Sequence, residues 1–151
     1  RVANGNIRGF TLYGIRTIAQ YLSVTDMLVT ANGRRGINAE PQGNDNQTVA
    51  FARIASSTMT ANGTTGINCG SHCRVENSLA SGNGASGIYF NGIGGLALGN
   101  TATANRGLGI YFSAEGGAGN NTVLGNASGQ IDGVYTAMQP NACDPACPPP
   151  P

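Results

Sequence analysis

The sequence predicts an all-β solenoid, a coil of short strands stacked in about six rungs. Three observations predict it. One phrase recurs: Asn32-Gly33-Arg34-Arg35-Gly36-Ile37, Asn62-Gly63-Thr64-Thr65-Gly66-Ile67, Asn83-Gly84-Ala85-Ser86-Gly87-Ile88 and Asn105-Arg106-Gly107-Leu108-Gly109-Ile110. The segments between these turns alternate, as in Val75-Glu76-Asn77-Ser78-Leu79, which is the period of a strand and not of a helix. The apolar residues, 40% of the chain with no Trp, are spread evenly, which suits a thin continuous core.

Taking the leading residue of each repeat as position zero gives Phe10, Asn32, Asn62, Asn83, Asn105 and Asn126, at spacings of 22, 30, 21, 22 and 21. Eight residues earlier stand Val2, Val24, Ile54, Val75, Ala97 and Ala118. Three earlier stand Ile7, Val29, Met59, Ala80, Ala102 and Val123. Five later stand Ile15, Ile37, Ile67, Ile88, Ile110 and Ile131, and seven later Thr17, Ala39, Cys69, Phe90, Phe112 and Gly133. Stacked strands turn such columns into inward ladders of like side chains. Asn tolerates the left-handed region and its amide can bond the next rung, so Asn32, Asn62, Asn83, Asn105 and Asn126 are expected to form an internal ladder at one corner. Gly precedes the Ile in five of six copies, where a tight corner with positive φ is expected. The long interval adds about eight residues near 40–47, a polar loop and a place for a specific contact.

Charged residues are only 10% of the chain, the net charge is +1, and every basic residue is Arg, so nothing matches the electrostatic footprint of a nucleic-acid binder. No apolar run approaches the ~20 residues that span a bilayer. No secretory leader is seen ahead of Arg1. Cys69/Cys73 and Cys143/Cys147 form two Cys-x3-Cys pairs, read as disulfides or buried thiols in an extracellular or cell-surface protein. A metal site at Cys69-Gly70-Ser71-His72-Cys73 is the rival reading, but structural zinc wants four ligands and this cluster offers three. No cofactor and no metal ion are expected.

The rungs resemble the right-handed parallel β-helix of the pectate-lyase-like superfamily, in its repeat-rich secreted bacterial form, whose rungs read V-x-x-N-x-V-x-x-N-x-x-x-G-I. Ala97, Asn100, Ala102, Asn105, Gly109 and Ile110 fill that pattern in one rung, and Asn121, Val123, Asn126 and Ile131 in the last. The opening Val2–Phe10 is similar to the first rungs of such proteins, and the Cys-containing end to their C-terminal closure. The resemblance covers residues 2–147 and implies a right-handed, single-stranded parallel β-helix over 1–138, closed by a Cys/Pro-rich segment over 139–151. It leaves function open, because the superfamily holds lyases, hydrolases, epimerases, binding proteins and structural spikes.

Enzymes of this fold gather carboxylates on neighbouring rungs. Here Asp26, Glu40, Asp45, Glu76, Glu115, Asp132 and Asp144 never share a column on adjacent rungs. Glu40 and Asp45 could approach one another in the loop. The lone His72 has only Glu115 in its column, two rungs or roughly 10 Å away. No catalytic residue is therefore assigned. Tyr89 and Tyr111 should stack on the outer face one rung apart, with Arg106 nearby, as a platform for a sugar ring or a protein partner. Thr30, Thr60, Ser81 and Thr103 form an outward hydroxyl column.

Solenoid ends expose ladder hydrogen bonds unless capped. The first rung looks bare, while Cys143–Cys147 and the prolines blunt the last. The chain is either part of a longer one or a homo-oligomer that stacks end to end. The expected function is a secreted, non-catalytic structural or surface-interaction protein that self-associates. The alternative is a carbohydrate-binding or polysaccharide-degrading module using Tyr89, Tyr111, Arg106, Glu40 and Asp45.

Overall fold

A computed structural model of the chain describes residues 1–18, 20–40, 51–144 and 146–147. Asp45 and the rest of 41–50 lie outside them. The strands are β1 (Val2–Arg8), β2 (Ile15–Thr17), β3 (Ser23–Thr30), β4 (Ile37–Ala39), β5 (Arg53–Ala55), β6 (Thr58–Thr60), β7 (Ile67–Cys69), β8 (Arg74–Glu76), β9 (Leu79–Ser81), β10 (Ile88–Phe90), β11 (Gly95–Leu98), β12 (Thr101–Thr103), β13 (Ile110–Gly119), β14 (Thr122–Leu124), β15 (Ile131–Ala137) and β16 (Ala142–Asp144). All their pairings are parallel, and the described residues contain no helix.

Three faces wind around one core. In chain order, the first aligns Val24↔Ile54↔Val75↔Ala97↔Ala118, and the second aligns Val29↔Met59↔Ala80↔Ala102↔Val123. The third aligns Ile15↔Ile37↔Ile67↔Ile88↔Ile110↔Ile131. From Ile37 to Ile131 this isoleucine column is at most 1% exposed, so like side chains stack methyl on methyl along the axis. At the far end, Cys143 aligns with Val123, and its bridge to Cys147 closes the last rung.

The buried asparagines fix this register. Asn32, Asn62, Asn83 and Asn105 each donate from Nδ2 to Oδ1 of the next, at 3.0, 3.0, 2.9 and 2.8 Å, ending on Asn126. Asn83 shows the full pattern. Its Nδ2 also donates to the Met59 carbonyl, and its Oδ1 accepts from both the backbone N–H and the Nδ2 of Asn62. Both donors and both acceptor positions of the amide are thus filled.

The chain also builds a second ladder at the corner between the first and second faces. Ser57 Oγ accepts from the Met27 N–H, Ser78 Oγ from the Ser57 N–H, and Asn100 Oδ1 from the Ser78 N–H. Asn100 then donates to Asn121 at 3.1 Å, and Asn121 to Asn141 at 2.8 Å.

Two corner expectations are corrected. The left-handed residue is not the ladder asparagine but the one before it: Ala31, Ala61 and Ala104 each have φ of 52°, and Gly82 and Gly125 have 62° and 60°. The kink there turns the following amide inward. The glycine before each isoleucine has no positive φ. It is required by space, since a Cβ at Gly36 would stand 2.7 Å from the Gly66 carbonyl oxygen and 2.8 Å from Asn62 Nδ2.

The core changes filling along the axis. The Cys69–Cys73 bridge lies wholly buried between the third and first faces. One rung on, Phe90 aligns with Cys69, then Phe112 with Phe90. Phe90, Phe112 and Tyr135 stack at centroid separations of 4.7 and 5.7 Å. Gly95 faces Phe90, and a Cβ there would come within 2.5 Å of its ring.

Asn83→Ala leaves buried donors and acceptors on three rungs unpaired. It is expected to lower unfolding free energy by about 3 kcal/mol or more, measured by chemical denaturation, since each buried unpaired group costs ~1–3 kcal/mol.

Candidate functional site

The outer side of the third face carries the column Arg16, Asn38, Asn68, Tyr89, Tyr111 and Asp132. Parallel pairing places Tyr111 one strand from Tyr89, and their rings stack at 5.3 Å with 25° between planes. The Tyr89 hydroxyl donates to Asn91 Oδ1 at 3.3 Å, and Asn91 Nδ2 donates to Glu40. Asn68 Nδ2 donates to Glu40 Oε2 and to Asn38 Oδ1, each at 2.9 Å, while Asn68 Oδ1 is buried with no hydrogen-bond partner among the described residues. Arg35 donates to Asn38 Oδ1 at 2.6 Å and pairs with Glu40 at 3.1 Å. At the first rungs, Arg16 and Arg34 lie over the Tyr13 ring at 5.2 and 5.7 Å.

This row therefore combines Tyr89, Tyr111 and Glu40 through Asn91. Arg106 sits exposed in the turn between β12 and β13, and among the described residues it makes no ion pair. Asn38 and Asn68 belong to an outward column yet are buried, because Arg35 and Glu40 fold across them.

The outer side of the first face holds a different set. Arg53 and Arg74 are aligned on neighbouring strands. Arg53 pairs with Glu76 Oε1, and Arg74 Nε with Glu76 Oε2 at 2.5 Å. Burial pushes the Glu76 carboxyl up. Hydrogen bonds from Arg74 and then Arg53, with both their charges, outweigh it and hold the group below its ordinary value. Farther along, a groove of about 690 Å³ is lined by His72, Gly94, Leu96, Glu115, Gly117, Val134 and Met138, among others. Tyr135 also borders it; burial and then the Asp132 charge raise its hydroxyl above the ordinary value.

His72 and Glu115 share this groove. The His72 N–H donates to the Ile93 carbonyl and the Gly94 N–H to the Glu115 carbonyl, which sets the two residues two rungs apart. Beside His72, Tyr21 stacks on Phe51 at 5.3 Å, and Phe51 stands 5.4 Å from His72. Sequence reasoning missed this three-ring stack, because Tyr21 and Phe51 flank the long interval and so fall in no common column. On the second face, Thr60 donates to Thr30 at 3.1 Å and Thr103 to Ser81 at 3.2 Å.

Stacked parallel strands, three faces and internal asparagine ladders define a right-handed parallel β-helix of the pectate-lyase-like fold. A solved structure with this architecture is a double mutant of the periplasmic alginate epimerase AlgG, which superposes with a TM-score of 0.74 at 15% identity. The superposition covers 94% of this chain and 38% of that one, so the chain spans well under half the length of its neighbour. At that identity the likeness is one of fold. No family profile and no curated protein matches the chain.

Glu76 supplies a pH dependence whose sign is fixed. Its folded pKa lies below the ordinary value of 4.5, so the ionised carboxylate stabilises the fold above that pH and the contribution fades as pH falls through the folded value. Melting temperature of the native chain should therefore drop on acidification below about pH 4.5, and Glu76→Gln should flatten that limb.

Proposed function

We propose that this chain is a secreted, non-catalytic β-helix protein that binds a polysaccharide along the outer side of its third face. The observation that carries the reading is the Tyr89–Tyr111 stack tied through Asn91 to Glu40. Sugar recognition uses this combination: ring surface for the apolar C–H face of a pyranose, and fixed amides and carboxylates for its hydroxyls. The row runs along the coil axis, and its strand-to-strand step of ~4.8 Å is close to the length of a pyranose ring. A linear polymer lying along the axis would meet Tyr111, Tyr89, Asn91 and Glu40 in turn.

Binding without bond cleavage is supported by the state of three of the carboxylates. Glu40 and Glu76 are held by arginines, and Asp132 Oδ1 accepts its neighbour Gly133's N–H at 2.7 Å. None of these is an acid–base pair poised across an open site. A periplasmic alginate epimerase with the same fold supports a polysaccharide as the ligand class. The two disulfides support an extracellular or cell-surface setting.

Tyr111→Ala should weaken polysaccharide binding roughly five- to tenfold in affinity electrophoresis or calorimetry, the worth of one aromatic contact. Unchanged affinity in that variant would sink the third-face reading.

A second reading is self-association by rung stacking. It is carried by Phe10, Leu12 and Ile18, large apolar side chains exposed on the first rung. Electron microscopy of a concentration series should then show filaments with a repeat of roughly 30 Å, the height of six rungs. Dispersed particles at every concentration would remove this reading.

A further inference from the structure

We propose that the outer side of the second face binds a second copy of this chain, side by side and antiparallel, in a closed two-fold dimer. The proposal rests on the charge layout of that face. It is independent of the third-face reading and of stacking through the open ends.

Two outward columns run the length of the second face. One starts at Arg8, passes through Thr30, Thr60, Ser81, Thr103 and Leu124, and ends at Asp144. Its neighbour, two residues earlier in each strand, holds Leu28, Leu79 and three threonines between Asn6 and Ala142. The five rungs between the ends therefore place no charged side chain in either column. The first face differs, with Arg53 and Arg74, and so does the third, with Arg16 and Asp132. Leu28 and Leu124 are large apolar side chains left 38% and 37% exposed on the second face. Its hydroxyls are partly satisfied along the column, where Thr60 donates to Thr30 and Thr103 to Ser81. Removing water from such a surface costs less than drying free hydroxyls.

The two ends carry opposite charges. Arg8 and Asp144 are exposed, and among the described residues neither makes an ion pair. Six rung steps, roughly 29 Å, separate them, so they cannot meet within one chain. A two-fold axis lying in the face and along the strands reverses the coil. Arg8 then meets Asp144 of the second copy, and the same contact repeats at the other end. The operation also sets Thr60 opposite Thr103, Thr58 opposite Thr101, and Leu79 opposite Leu79. A groove of about 570 Å³, lined by Ser56, Thr58, Asn77 and Thr101 among others, flanks Leu79 and gives the second leucine room. Coils pointing the same way would instead set Arg8 against Arg8 and Asp144 against Asp144, which like-charge repulsion disfavours. The face offers roughly 400 Å² per copy, about half of a standard interface, so the dimer is a weak one.

Sedimentation equilibrium of the whole chain, up to about 1 mM, tests this. The expected result is a monomer–dimer equilibrium that stops at the dimer and weakens severalfold as salt rises. Arg8→Asp and Asp144→Arg should each weaken it at least tenfold, because either change sets like charges together at both ends. Mixing these two variants should restore dimers, since both end contacts are then between opposite charges. The double variant should dimerise like the native chain. Leu79→Glu places two carboxylates together on the axis and should also weaken association at least tenfold. Tyr111→Ala, on the third face, should change nothing. Melting temperatures near native identify the variants as folded. The proposal is overturned if the native chain stays monomeric at every concentration, if a folded single variant or Leu79→Glu associates like the native chain, or if the mixed variants remain monomers.

Discussion

The rest of the coil depends on the hydrogen bond that one buried asparagine amide makes to the next. A primary amide has two donors and two acceptor positions, and inside a protein each must be met. Asn83 meets all four by contacting the rungs on both sides of its own. Register is thereby set by side chains at two corners, not by the strands alone, most of which are only three residues long. A slip of one residue would turn each column inside out and leave these amides unpaired in the core.

Fixed corners make the faces interchangeable in content. The cavity between the third and first faces is filled by Cys69–Cys73 in one rung and by Phe90 against Gly95 in the next. The solutions differ chemically but occupy the same aligned positions. Outward positions are freer still. The third face changes along the axis from arginine and asparagine to tyrosine, and the first from arginine to leucine to glycine. Recognition chemistry can therefore vary rung by rung over an unchanged core.

The inward columns were legible in the sequence because an aliphatic recurs at each of them in nearly every copy. The right hand of the coil came from the resemblance of its rungs to a known pattern. The physical role of the corner residues was less legible. Asparagine and glycine both suggest positive φ, yet alanine takes that conformation at positions 31, 61 and 104, and the glycines answer to crowding by the next rung. The second ladder hides behind a change of residue type, from Ser57 and Ser78 to Asn100 and Asn121, which share an acceptor oxygen but not a letter. On the outer surface, the Tyr89–Tyr111 stack followed from two equal letters one period apart. The grouping of Arg53, Arg74 and Glu76 did not, since a column search for repeated carboxylates passes over a single acid that serves two bases.

The Asn32–Asn62 bond is 3.0 Å long across thirty residues, and the Asn62–Asn83 bond is 3.0 Å long across twenty-one. The ladder thus does not register how much chain separates its members, provided that both ends return to the same corner. The link between the third and first faces is in consequence a graft point. Sequence can be added there, by evolution or by an engineer, without a new core being invented. The opposite corners, where one left-handed residue aims each amide, keep the same length in every rung, so variation in length is confined to one edge of the prism.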